Sequence, residues 1–204
     1  MYADEEELKA MEICHPRCVE ILKTFIQTLP KRAAFRAIDV AGGDGRLSRS
    51  LLLKLYQRVD LFDACPVAVK KAKAAMVNQP NFGYAEQATM QGFRWHYNYS
   101  AIFMVWCVGY LENTDLIALL RRAKVKLDQG IDRISRGTLP GSLIIILDNV
   151  LGRGEVSELI KGQRVRSTAE LESIYAEAGL IIHKRSGAKK MPEPYREVFV
   201  WALY

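Results

Sequence analysis

Apolar positions along this chain recur at two spacings, and the switching between them is the first structural signal. From Glu5 to Leu29 they fall at helical intervals (Ile13, Val19, Leu22, Phe25, Ile26, Leu29), with Pro16 expected to divide two helices of an amino-terminal cap. Beyond Phe35 the period alternates. FRAIDVA reads as a buried strand, RLSRSLLLKLY as a helix, RVDLFDA as a strand and PVAVKKAKAAMV as a helix opened by Pro66. A short strand near Phe82 to Ala85 follows, then the apolar strand AIFMVWCV, the helix TDLIALLRRAKVKL capped by Thr114 or Asn113, and the strand LIIIL. A helix over 168–178 ending at Gly179, the strand LIIHKR and a last alternating strand REVFVWALY complete the pattern.

This alternation predicts an α/β fold, a seven-stranded doubly wound Rossmann-like sheet with a mostly parallel order. The chain of 204 residues, half of them apolar, is long enough for one substantial core. A single domain over 1–204 is expected, with the helical cap at 1–30 and the α/β core at 33–204. The polar DQGIDRISRGTLP after Leu127, which carries Gly and Pro, reads as a surface insertion near 128–140.

Composition narrows the setting. No apolar run approaches the ~20 residues of a membrane span, so no membrane is expected as a partner. The opening DEEE lacks the character of a transit or secretory signal, which suggests a cytoplasmic or nuclear protein, with an organelle left open if a leader preceded this sequence. Cys14, Cys18, Cys65 and Cys107 show no pairing framework and are expected as thiols, and CHPRC has no second ligand pair, so no metal is expected. A net charge of +6 favours an anionic partner only if the cations share a face, and the densest runs, KKAKAAM and RRAKVKL, sit in helical patterns as solvated faces.

The stretch IDVAGGDGR carries the candidate chemistry. A strand ending at Asp39, a glycine turn and a helix opening near Arg46 aim backbone N–H groups at the carboxyl edge of the sheet. Asp63, at the end of the next strand, stands where a carboxylate accepts both hydroxyls of a ribose. A dinucleotide loop would carry a third glycine, but Ser48 follows Gly43 and Gly45 at that spacing, which disfavours NAD. An acid before the turn and an arginine after it suit an amino-acid-bearing cofactor: Asp39 for an ammonium, Arg46 for a carboxylate. S-adenosylmethionine has both groups.

The run AIDVAGGDGRLSRSLLLKLYQRVDLFDACP, followed by VWCVGYLENTDLIALLRRAKVKL, GSLIIILDN and AEAGLIIHKR, resembles the alpha-N-terminal protein methyltransferase family. The resemblance covers about residues 33–204 and implies a class I S-adenosylmethionine-dependent methyltransferase fold with an antiparallel last strand. It also implies methylation of the free amine of a protein or peptide amino terminus of the X-Pro-Lys type. By position it assigns Gly43 and Gly45 to the cofactor loop, Arg46 to the cofactor carboxylate, Asp63 to the ribose and Gln91 to the adenine neighbourhood. Trp106 matches a tryptophan of the substrate channel, and Asp148 and Asn149 match an Asp-Asn pair whose asparagine positions the amine.

The departures from that family pattern fall close to the chemistry. Ala41 replaces the first loop glycine, Tyr110 replaces a channel histidine, and Ser167 or Thr168 stands where a helix should open with an acid. Arg164 and Arg166 are expected to bring positive charge to the pocket, and EICHPRCVEILKTFIQTLP replaces a glycine-rich lid. Two classes therefore stay open: an amine methyltransferase using Asp148, Asn149 and Trp106, or a catalytically silent scaffold or assembly factor, binding a larger protein or RNA-containing complex through its basic face.

Overall fold

The strands form where runs of β-branched and aromatic residues can be buried on both faces, and LIIIL is the clearest case, since every residue from Leu143 to Leu147 is buried. The computed structural model describes residues 5–30, 34–127, 142–152, 158–160, 162–191 and 197–204. The expected insertion near 128–140 lies outside them.

Helix α1 (Glu5–Gln27) leads to β1 (Arg36–Val40), a π-helical turn (Ser48–Leu52) continuing into α2 (Leu53–Leu55), β2 (Arg58–Asp63), α3 (Pro66–Met76) and β3 (Phe82–Gln87). Then come β4 (Ala101–Val105), a 3-10 turn (Val108–Tyr110), α4 (Asn113–Val125), β5 (Leu143–Asn149), β6 (Glu158–Ile160), β7 (Gln163–Val165), α5 (Thr168–Glu177), β8 (Ile182–Arg185) and β9 (Val198–Leu203). Seven strands make one sheet in the order β3-β2-β1-β4-β5-β9-β8, and β6 pairs with β7 in a separate hairpin. β1 to β5 run parallel, whereas β9 lies antiparallel to β5 and β8. The expected antiparallel last strand is thus present.

Helices cover both faces. On one, Ile38, Val40, Ile102, Ile144 and Ile146 pack with Leu116, Leu120 and Ala123 of α4 and Leu171, Ile174 and Tyr175 of α5. On the other, Ala37, Phe103, Ile145 and Val200 meet Cys14, Cys18, Leu22 and Phe25 of α1, while α3 lays Val69, Ala72 and Met76 over Leu61.

Two local expectations are corrected. Pro16 does not divide two helices but sits inside the single helix α1; burial of Cys14, Cys18, Ile21, Leu22 and Phe25 on both sides of it outweighs the ~3 kcal/mol cost of a helix-interior proline. Helix α4 is not capped by the side chain of Thr114 or Asn113: both lie inside it, and Glu112 is its N-cap without a side-chain bond. Asn113 is engaged elsewhere, as described below. Gly179 at φ +78° does close α5, in the left-handed conformation that glycine adopts freely.

Candidate functional site

The sheet order reverses at β1, which has β2 on one side and β4 on the other. The chain leaves β1 towards the α1 face and leaves β4 towards the α4 face, so a crevice opens between them at the carboxyl edge. The predicted site residues of β1, β2, β4 and β5 all lie along that edge.

After Val40 the backbone turns through left-handed conformations at Ala41 (φ +52°), Gly43 (φ +57°) and Gly45 (φ +78°). The glycines adopt them without cost, whereas Ala41 carries a Cβ there, a strain of ~1–2 kcal/mol. The Gly42 N–H donates to the Phe62 carbonyl at 3.1 Å and the Gly45 N–H to the Gly42 carbonyl at 3.0 Å. A Cβ at Gly42 would lie 2.7 Å from both Asp39 Cγ and Leu61 Cδ1, whereas one at Gly43 would meet nothing within 4 Å. Gly42 is therefore packed against the sheet, and Gly43 fronts open space.

Asp39 lies behind this loop, only 2% exposed, with Oδ2 accepting the Ser48 hydroxyl at 2.7 Å. Burial raises its carboxyl to about 7 against the opposing pull of the Ser48 bonds, and Asp63 pushes it the same way. Ser48, where a dinucleotide loop needs glycine, thus holds the site's buried acid. Asp63 uses Oδ2 to accept the Gly43 N–H at 2.9 Å and Oδ1 to accept the Cys65 N–H at 2.8 Å. Each oxygen keeps a further lone pair. Arg46 donates through Nε to Asp44 at 3.1 Å. Gln91 is exposed on the segment between β3 and β4 and donates to Asp115 of α4 at 3.1 Å.

On the other side of the crevice, Trp106 follows β4 with φ +52°, and its backbone N–H donates to the Leu147 carbonyl at 2.9 Å. The register Val105 to Leu147 brings Trp106 beside Asp148. Asp148 is buried, and its Oδ1 accepts the Asn149 N–H at 2.7 Å. Among the described residues, Asp148 Oδ2 and Asn149 Oδ1 are buried and close no full hydrogen bond, although the Val108 and Gly109 N–H groups face the Asp148 carboxylate. Burial raises the Asp148 carboxyl to about 6, although the N–H groups of Asn149, Gly109 and Val108 and the Arg166 guanidinium all favour its charged form. Cys107 is held well above the ordinary thiol range by burial first and then by Asp148, Asp39 and Asp63. Asp148, Asp39 and Asp63 all act on the end of β4, and in their ionised forms they make a field suited to a cation.

The expected positive charge does reach the pocket, since the Arg166 guanidinium favours the charged form of Asp148, but both guanidiniums are engaged by the protein itself. Arg164 donates to Glu112 at 2.8 Å. Arg166, 1% exposed, spends its guanidinium on Asn113 Oδ1 at 2.9 Å, the Val108 carbonyl at 3.2 Å and the Leu111 carbonyl at 2.5 Å. Ser167 is the N-cap of α5, accepting the Glu170 N–H at 3.2 Å. Its hydroxyl is thus directed to the helix. The β6–β7 hairpin was not expected from the sequence, although Gly162 at φ +77° between ELI and QRV is a hairpin signal. It reaches the site through Gln163, which donates to the Tyr110 hydroxyl at 2.6 Å.

Residues 8–204 match the family model described as AdoMet dependent proline di-methyltransferase. The N-terminal Xaa-Pro-Lys N-methyltransferase 1 of Mus musculus is 25% identical over 192 residues, 90% of this chain and 79% of that protein. The Danio rerio protein of the same name is 28% identical over 171 residues, 82% of this chain and 71% of that protein. Among solved structures, a SAM-dependent methyltransferase of Leishmania major superposes with a TM-score of 0.80 at 23% identity, covering 93% of this chain and 72% of that one. Magnesium protoporphyrin IX methyltransferase of Synechocystis with bound SAM gives 0.66 at 13% identity over 99% of this chain and 85% of that one. These matches share the class I methyltransferase fold and its S-adenosylmethionine cofactor, and they do not favour the silent-scaffold alternative. The chain belongs to the AdoMet-dependent proline di-methyltransferase family, and it is a class I S-adenosylmethionine-dependent methyltransferase.

Proposed function

We propose that this chain methylates the free α-amine of a protein or peptide amino terminus, of the Xaa-Pro-Lys class for which its relatives are named. The observation that carries the reading is the pair of buried acceptors at the end of β5, Asp148 Oδ2 and Asn149 Oδ1, that close no full hydrogen bond with any described residue. Leaving two such atoms unpaired costs ~1–3 kcal/mol each, and an ammonium or amine offers the donors they lack.

S-adenosylmethionine fits the other half of the crevice. Gly43 faces open space, Asp63 retains acceptor capacity on both oxygens for a diol, and the converging carboxylates favour a cationic centre. Asp63 would hold the ribose, Gly43, Gly45 and Arg46 the amino-acid end, and the segment bearing Gln91 the adenine. Asp39 would act on the cofactor ammonium from behind the Gly42 backbone. Bound there, the cofactor supplies an electrophilic methyl on a sulfonium.

The remaining work falls to this chain's own side chains. An α-amine is mostly protonated at neutral pH, with a pKa near ~8, and needs a free lone pair to attack. Asp148, with its carboxyl raised to about 6, is mainly ionised at pH 7 and still basic enough to accept that proton on Oδ2. Asn149 Oδ1 accepts a second N–H and orients the lone pair. Trp106, held by its bond to Leu147, walls the channel beside them. Such a substrate belongs to a cytoplasmic or nuclear setting, consistent with the four cysteines being thiols. No described helix is long and apolar enough to cross a membrane.

The test is methyl transfer from labelled S-adenosylmethionine to an X-Pro-Lys peptide and to its N-acetylated form. Label on the free peptide alone supports the reading, and equal labelling of both, or of neither, refutes it.

A further inference from the structure

Arg166 sits between β7 and α5, and nothing in the chemistry above requires an arginine there. Its backbone continues the edge of the site: Arg166 bridges Val150 in parallel, and the Leu151 N–H donates to its carbonyl at 3.1 Å. This ties it to the chain directly after Asp148 and Asn149. Its side chain crosses to the loop after β4, with Nη1 and Nη2 on the Val108 and Leu111 carbonyls and Nε on Asn113. Asn113 and Glu170 are joined in turn at 3.3 Å, and Glu170 Oε1 lies 3.8 Å from Arg166 Nε. The same turn is pressed from outside by the hairpin, since a Cβ on Gly109 would stand 3.2 Å from the Arg164 carbonyl.

Burying a guanidinium is costly unless its donors are met, and mutual satisfaction of this kind fixes a turn in one conformation. The turn it fixes carries the Val108 and Gly109 amides that face Asp148. Among the described residues, Cys107 on the β4 side and Tyr175 on α5 are also coupled to Asp148, and burial holds both neutral. Among the described residues, Arg166 is therefore the cation that acts on Asp148.

We propose that Arg166 is a positioning residue for methyl transfer, clamping the Val108–Tyr110 turn to the end of β5 and so fixing where Asp148 and Asn149 meet the acceptor amine. The proposal rests on the amine reading above. It names a residue that touches neither cofactor nor substrate but sets the geometry and charge of the proton acceptor.

Arg166→Lys keeps a charge and loses the fork, and Arg166→Met keeps the stem and loses the charge. Both variants should lower kcat by ~10–100-fold, the scale of a displaced catalytic group, while S-adenosylhomocysteine binds within ~2-fold of wild type. The rising limb of kcat against pH should move upward in Arg166→Met and stay in place in Arg166→Lys. Amide hydrogen exchange over 107–113 should quicken at least ~10-fold in both, with 41–47 unchanged. Unaltered kcat and pH limb, cofactor affinity falling in step with kcat, or unaltered exchange at 107–113 would each overturn the clamp. Should the wild-type protein transfer no methyl to any free-amine peptide, the amine reading falls, and the exchange comparison still decides whether Arg166 holds the turn.

Discussion

Asp63 and Gly43 are joined on the β1–β2 side of the crevice: Asp63 Oδ2 accepts the Gly43 N–H at 2.9 Å, so the carboxylate assigned to the ribose also sets the position of the glycine that fronts the open space. One side chain thereby orders two walls of the cofactor site.

Removing it should be felt in binding before anything else. Asp63→Ala should weaken S-adenosylhomocysteine by ~1–3 kcal/mol, the scale of a lost charged hydrogen-bond partner. Isothermal titration measures this directly, and an affinity within ~0.5 kcal/mol of wild type would remove Asp63 from the site.

Ala41 is strained and Gly42 is crowded, and the two positions should respond in opposite ways. Ala41→Gly relieves a left-handed alanine at φ +52°. The gain of ~1–2 kcal/mol is offset by ~0.4–1 kcal/mol of added freedom in the unfolded chain, for a net rise of ~0.5 kcal/mol in stability and no loss of cofactor affinity. Gly42→Ala would force a Cβ to within 2.7 Å of Asp39 and Leu61 and should cost ~1–3 kcal/mol. Thermal unfolding of the pair checks both signs, and a destabilising Ala41→Gly contradicts the strain.

Asp148 should make stability depend on pH in a defined direction. Its folded carboxyl lies at about 6, above the unfolded value near ~3.9, so the folded state binds the proton more tightly. The stability this contributes is fully present below pH ~4 and is lost as pH rises through about 6. Asp148→Asn removes that loss. Relative to wild type the variant should gain ~1–3 kcal/mol between pH 4 and pH 8. A pH-independent difference in unfolding free energy would show that the carboxyl is not raised.

Ser167 occupies the place of the family's expected acid, yet its hydroxyl caps α5. Ser167→Ala should cost ~1 kcal/mol, and Ser167→Asp should keep both stability and activity because an aspartate caps equally well. Methylation that rises several-fold in Ser167→Asp would mean that an acid there reaches the amine after all.

The parallel core was legible because its signals are strong. LIIIL and AIFMV are uniformly apolar, Pro66 opens α3 and Gly179 closes α5. The glycine loop could be placed because conformations like those of Gly43 and Gly45 exclude most residues. What the sequence hid were side-chain directions. The positive charge of Arg166 near Asp148 was legible, but the closing of the two guanidiniums on Glu112 and Asn113 was not, because those partners lie over 50 residues away along the chain. The bond from the Gln91 amide to Asp115 could not be read from the sequence, because Asp115 lies on α4, 24 residues on. Pro16 misled because tertiary burial overrode a local rule. Ser48 was visible only as a missing glycine, and its bond to Asp39 is seen only once the structure places the first residue of the π-helical turn behind β1.

The most direct measurement is single-turnover methyl transfer to an X-Pro-Lys peptide by the wild-type protein and by Asp148→Asn, followed across pH, with S-adenosylhomocysteine affinity measured alongside. The wild-type rate should rise with pH through a limb near 6. Asp148→Asn should bind S-adenosylhomocysteine normally, lose that limb and transfer at least ~100-fold more slowly, the contribution of a positioned proton acceptor. Transfer at the wild-type rate with the limb intact in Asp148→Asn would contradict the assignment of Asp148 as the acceptor of the amine proton.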